Sequence, residues 1–137
     1  MDAIHITDLE AAINHWRHTQ PAADASSALH PATQALAQVY AEMICAGTQW
    51  QPWAQLSVDA QAAWLAWFET QPDTPCIAIC STSQGDDVCK GCGRTFAEVQ
   101  HWPGMHPTAK RAVWRRITQA ASSWRFTRYA ERAQPKK

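Results

Sequence analysis

The sequence predicts a mainly α-helical chain: a small helical module, then a four-cysteine metal loop and two further helices, with little or no sheet. Three observations carry this. Apolar residues recur at helical spacing in five segments, each opened or closed by a capping residue, a glycine or a proline. Two Thr-x-x-Glu capping boxes stand at 7–10 and 95–98. Four of the five cysteines fall within 17 residues, Cys76 to Cys92.

Taken in order, the Thr7–Glu10 box opens a helix with Leu9, Ile13 and Trp16 on one face, and Pro21 ends it. A polar, Ala-rich connector at 22–27 leads to Pro31, suited to a first helical turn. Leu36, Val39, Tyr40, Met43 and Ile44 then follow at helical spacing, with Cys45 on the same apolar side as small core filling and Gly47 as the stop. Residues 50–53 read as an aromatic turn. Ser57 caps a third helix whose apolar arc holds Trp64, Leu65 and Phe68, with Trp67 at its exposed edge. The segment 71–75 reads as a hinge, dividing the chain into a helical module, 1–71, and a four-cysteine module with a basic C-terminal helix, 72–137. Only residues 77–79 suggest a strand. Beyond the cysteines, the Thr95–Glu98 box opens a short helix closed by Pro103-Gly104. Pro107 opens the last helix, with Val113, Ile117, Ala120 and Trp124 on one stripe and Arg111 and Arg115 opposite. The final residues, 134–137, read as frayed.

Composition narrows the function classes. Hydrophobic residues make up 46% of 137, but 25 of them are Ala, and Leu, Ile, Val and Phe together number only 20. Eight Trp restore apolar area, so a core is feasible, though a small one that gains from a metal or a partner. No run of 18 apolar residues is present, which excludes a membrane-spanning helix. The amino terminus has no apolar signal core, so the expected compartment is the cytoplasm, where thiols stay reduced. Residues 1–106 carry three basic against eleven acidic side chains, a net of −8; residues 107–137 carry nine against one, a net of +8. That asymmetry points to an intramolecular acid–base fit or to an anionic partner.

The strongest chemical signal is Cys76-x3-Cys80-x8-Cys89-x2-Cys92. Two close pairs joined by a short polar loop can bring four thiolates to one tetrahedral centre, with metal–sulfur distances of about 2.3 Å for zinc. Gly91 and Gly93 let the second pair turn tightly and aim N–H groups at sulfur, and Lys90 and Arg94 offset thiolate charge. The expected cofactor is one metal centre on Cys76, Cys80, Cys89 and Cys92. Zinc is favoured because the ferredoxin run C-x2-C-x2-C-x3-C-P is absent, and an iron–sulfur cluster is the alternative.

Residues 75–117, from Pro-Cys-x3-Cys through Cys-x2-Cys-Gly-Arg-Thr, Glu98, Trp102 and Met105 to the Arg-Ala-Val-Trp-Arg-Arg-Ile helix, resemble the YdhL-like four-cysteine family, domain of unknown function 1289. The resemblance implies an iron–sulfur centre, since members are described as predicted iron–sulfur proteins, a description that rests on the cysteines themselves. Residues 6–17, continuing to about Ala46, resemble a second uncharacterised helical module of bacterial proteins, of the domain of unknown function 3717 type. Neither resemblance implies an activity.

Weaker signals complete the picture. His15 and His18 share a helix face but have no HExxH-type partners, and His101 is a reserve ligand at most. The basic end interleaves arginine with aromatics, so Arg111, Arg115, Arg116, Arg125 and Arg128 are candidate contacts to an anion or to single-stranded nucleic acid, a reading less favoured than an amphipathic helix. No Gly-rich phosphate loop, GxSxG or paired carboxylate site proposes an enzyme. Three functions follow from this. A zinc-stabilised adaptor for a protein partner is favoured over an iron–sulfur redox or sensor protein and over a nucleic-acid binder.

Overall fold

The helices begin where a polar acceptor precedes an apolar period, though not always the acceptor the sequence suggests. In the computed structural model, which describes residues 2–19 and 30–126, β1 (Ala3–His5) runs straight into α1 (Ile6–Thr19). β1 pairs antiparallel with β2 (Trp50–Pro52), Ile4 opposite Gln51. The segment at 50–53 is therefore a short strand followed by a 3-10 turn, not a turn alone. Pairing holds His5 in extended backbone, so the helix starts one residue before Thr7 and the expected Thr7–Glu10 box does not close. His5 caps instead: its Nδ1 accepts the Thr7 amide at 3.2 Å, while Glu10 receives the Tyr40 hydroxyl at 3.5 Å.

The same device recurs. α2 (Pro31–Ala46) has proline in its first turn and the Ala32 amide donating to His30 Nδ1 at 3.1 Å; Gly47, with φ of 70°, closes it in the left-handed region. The buried face of α2 is Thr33, Leu36, Val39 and Met43. That face turns Ile44 (55% exposed) and Cys45 outward, correcting the expectation that both fill the core. α3 (Val58–Phe68) is capped by Ser57, whose Oγ accepts the Ala60 amide at 3.1 Å. Its buried face is Ala60, Ala63, Trp64 and Trp67. Trp67 is thus interior, and Leu65 and Phe68 are half-buried, because the alanines allow close approach on the side that sequence periodicity assigned to the edge. Trp64, Leu9, Leu36 and Ile4 form the centre of this core, and Trp16 crosses it to donate from Nε1 to Ala63 O at 3.0 Å.

The chain divides into two compact units, Met1–Gln71 and Pro72–Lys137. In the second, α4 (Phe96–His101) is opened by a complete capping box between Thr95 and Glu98. α5 (Pro107–Ala120) is capped by His106, whose Nδ1 accepts the Thr108 amide at 3.2 Å. The core here is small: Trp102, Val113, Trp114 and Ile117, with Met105 and Phe126 packed against it. Ala121 takes a φ of 50° and ends α5, so Trp124 leaves the expected stripe for a separate 3-10 turn, Trp124–Phe126, where it is 39% exposed. Residues 77–79 form no strand; Ala78 has a φ of 67°, incompatible with one. No helix among the described residues is long and apolar enough to cross a membrane. The connector at 22–27, the end at 134–137 and Arg128 lie outside the described residues.

Candidate metal centre

The segment from Pro72 to Thr95 has little regular structure, and polar contacts hold it. Asp73 anchors its start. The carboxylate accepts Lys110 Nζ at 2.9 Å and Trp102 Nε1 at 3.3 Å, and the Asp73 carbonyl accepts Trp114 Nε1 at 3.3 Å. The Lys110 ammonium keeps the Asp73 carboxyl below its ordinary value, against the opposing pull of partial burial. Sequence reasoning treated this residue as part of a hinge. Its one local signal is the pair of prolines that fix the chain on either side.

The second cysteine pair is a tight knuckle. Cys89 N donates to Arg94 O and Gly93 N to Cys89 O, both at 2.8 Å. Gly93 has a φ of 90°, and both Cys89 and Cys92 are buried. Burial pushes the Cys89 thiol up, but N–H groups of Cys92, Ser81 and Gly91 converge on its sulfur and bring it below the ordinary thiol value. Burial dominates at Cys92, whose thiol is raised although Arg94 Nε approaches its sulfur at 3.3 Å. Arg94 is itself 94% buried, 6% of its surface remaining exposed, and its guanidinium lies 4.8 Å from the Trp102 ring.

The backbone of the first pair already touches this knuckle. Cys89 Sγ lies 3.3 Å from Ile79 O, so the residue before Cys80 contacts the Cys89 sulfur. Ser81 Oγ accepts the Lys90 amide at 2.8 Å. Gly91 faces Ile79 so closely that a Cβ there would stand 2.5 Å from the carbonyl oxygen. Gly91→Ala is therefore expected to push the two pairs apart and lower metal occupancy. Titrating the variant and the parent with cobalt and reading the thiolate charge-transfer band checks this.

Cys76 and Cys80 are exposed. Cys76 Sγ accepts the Ala78 amide at 3.3 Å, and Cys80 Sγ lies 2.9 Å from Thr82 Oγ1. Among the described residues no group of three or more His, Cys, Asp or Glu side chains is gathered to hold a metal ion. The structure brings the sulfurs of Cys89 and Cys92 together and lays the backbone of the other pair against them. The donor chemistry fits a thiolate-bound metal: soft ligands, N–H donors at sulfur, and a buried cation facing Cys92.

Four of the five candidate arginines lie among the described residues. Arg116 makes a two-pronged pair with Glu98, at 2.7 and 2.6 Å, and reaches Gly93 O at 3.3 Å. Arg125 lies over the Trp114 ring at 4.8 Å and donates to Pro75 O at 3.1 Å. Arg111 and Arg115 are half-buried on α5 and engaged as well. Arg116 holds the Glu98 carboxyl below its ordinary value of 4.5, with burial opposing and the Thr95 amide assisting. Since the folded value lies below the unfolded one, the pair stabilises fully above about pH 5 and the contribution is lost as pH falls through the folded value. Glu98→Gln is expected to lose about 1 kcal/mol at pH 7, Arg116 being half-exposed and screened, and to show a flatter acid limb. Urea unfolding at pH 7 and pH 3.5 measures both.

Residues 2–69 match the family model "Protein of unknown function (DUF3717)" and residues 74–121 match "Protein of unknown function (DUF1289)". The first match runs well past Ala46, taking in β2 and α3. Comparison with curated proteins and with solved structures gave no match. All four clustered cysteines, the capping box at Thr95 and the whole of α5 lie inside the second match, so the chain is a DUF3717 domain followed by a DUF1289 domain.

Proposed function

We propose that the DUF1289 domain holds one metal centre on Cys76, Cys80, Cys89 and Cys92, zinc being the favoured metal, and that the chain works in a reducing cytoplasm as an adaptor for a protein partner. The observation that carries this is the packing of the knuckle: both its sulfurs are buried, Cys89 Sγ lies 3.3 Å from Ile79 O of the first pair, and the buried Arg94 donates from Nε to Cys92 Sγ at 3.3 Å. A buried cation with an anionic neighbour is far less costly than one without, and a thiolate at Cys92 supplies that neighbour. A metal bound by all four thiolates supplies a cross-link for a domain whose own core is only a few residues. Such a closed site leaves no open position for turnover, which favours binding over catalysis. Exposed apolar side chains in this unit, Val88 at 50% and Phe96 at 46%, suit a partner surface. No contact favours the nucleic-acid reading, since Arg116 and Arg125 are engaged within the fold.

Elemental analysis with an absorption spectrum, on protein purified without oxygen, tests the proposal. One zinc per chain and no visible bands support it. Iron with acid-labile sulfide and a brown colour replaces zinc by an iron–sulfur cluster on the same cysteines. Absence of any near-stoichiometric metal overturns it.

A further inference from the structure

We infer that Arg125 is a positioning residue that sets the separation of the two cysteine pairs. The inference rests on the proposed four-cysteine centre and adds a fifth element to it, the turn at Trp124–Phe126. That turn comes back onto the knuckle after α5 ends: Trp124 N donates to Lys90 O at 2.9 Å and Arg125 N to Gly91 O at 2.8 Å. These are carbonyls between Cys89 and Cys92 that the knuckle's own turn bonds do not use. The Arg125 side chain then reaches the other pair and donates from its guanidinium to Pro75 O, the carbonyl immediately before Cys76, at 3.1 Å. One residue therefore bonds the backbone of both pairs, its amide on one side and its guanidinium on the other.

The guanidinium is also held in place. It lies 4.8 Å from the Trp114 ring centroid, over a side chain that is itself buried and fixed by Asp73 O. The planar group thus reaches Pro75 from a platform on α5, which a flexible ammonium cannot reproduce. The backbone that makes this possible is Ala121 in the left-handed region, where the helix stops and the chain doubles back. Without the Arg125 side chain, the hydrogen bonds left at Cys76 itself are local, its amide on Thr74 Oγ1 and its sulfur on the Ala78 amide, and the next long-range anchor is three residues back, at Asp73.

The test is metal release to a chromogenic chelator from the full-length zinc-loaded protein, together with the cobalt spectrum, for the parent, Arg125→Ala and Arg125→Lys. Arg125→Ala is expected to release metal about ten-fold faster, the usual scale for a residue that orients metal ligands. Its thiolate–cobalt band should weaken, and Arg125→Lys should give only partial recovery. The lysine variant keeps a long cationic side chain, so it tests the planar contact even where the alanine variant unfolds. Release at the parental rate with an unchanged cobalt band in both Arg125 variants overturns the inference while leaving the four-cysteine reading intact. Failure of the parent to take up zinc or cobalt overturns that reading, and the inference with it.

Discussion

Replacing any one of Cys76, Cys80, Cys89 or Cys92 by serine is expected to empty the metal centre and unfold residues 72–126, while Cys45→Ser leaves metal content and stability unchanged. Among the described residues the apolar cluster of the second unit has four buried side chains, two of them tryptophans, and the 24-residue segment 72–95 holds no α-helix. Apolar burial on that scale does not offset the entropy of ordering such a loop. In small thiolate domains a bound zinc contributes on the order of 10 kcal/mol to folding, comparable with the whole stability of a typical domain of about 5–15 kcal/mol. Circular dichroism with limited proteolysis reads the outcome: loss of helical signal and cleavage within 72–126, with residues 30–71 still protected. Cys45 is exposed on α2, in the other unit. Equal metal loss in Cys45→Ser would sink the ligand assignment.

The second large effect lies in the first unit. Trp64 is completely buried, with Trp53 and Trp67 edge-on at 5.5 Å and Phe68 stacked at 5.7 Å. Trp64→Ala is expected to cost about 3–5 kcal/mol, the range for a large aromatic removed from a packed site. Its Nε1 is buried with no hydrogen-bond partner. An unpaired buried donor costs about 1–3 kcal/mol, so Trp64→Phe removes a penalty along with some contact area. The phenylalanine variant should therefore stay within about 1.5 kcal/mol of the parent. Guanidinium unfolding followed by circular dichroism separates the two, and an equal loss in both variants would overturn this account of the site.

The helices and their order were legible because proline, glycine, serine and the Thr95–Glu98 box act locally. Which face each helix buries was less so. Trp67 and Cys45 exchanged their expected places: burial on α3 follows Ala60 and Ala63, small residues that barely register in an apolar period, and on α2 the buried face of Leu36, Val39 and Met43 turns Cys45 outward. The cysteine spacing marked a candidate centre, of which the structure brings together Cys89, Cys92 and Arg94. Asp73 and Arg125 were not legible as parts of the site. Asp73 meets its partners at separations of 29, 37 and 41 residues, and Arg125 meets Pro75 across 50. No spacing rule reaches contacts that distant, and only the fold brings them together.

The histidine caps bear on how the chain could choose a metal. An imidazole that accepts an amide through Nδ1 carries its proton on Nε2, so His5, His30 and His106 are each committed to one tautomer. To bind a metal through Nε2 the proton must move to Nδ1, which turns the cap from acceptor to donor and leaves a helix amide facing a like hydrogen. Each such event costs about one helix cap, roughly 1 kcal/mol. Half of the six histidines are thereby disarmed as competitors, so at the proposed centre the thiols would face less rivalry.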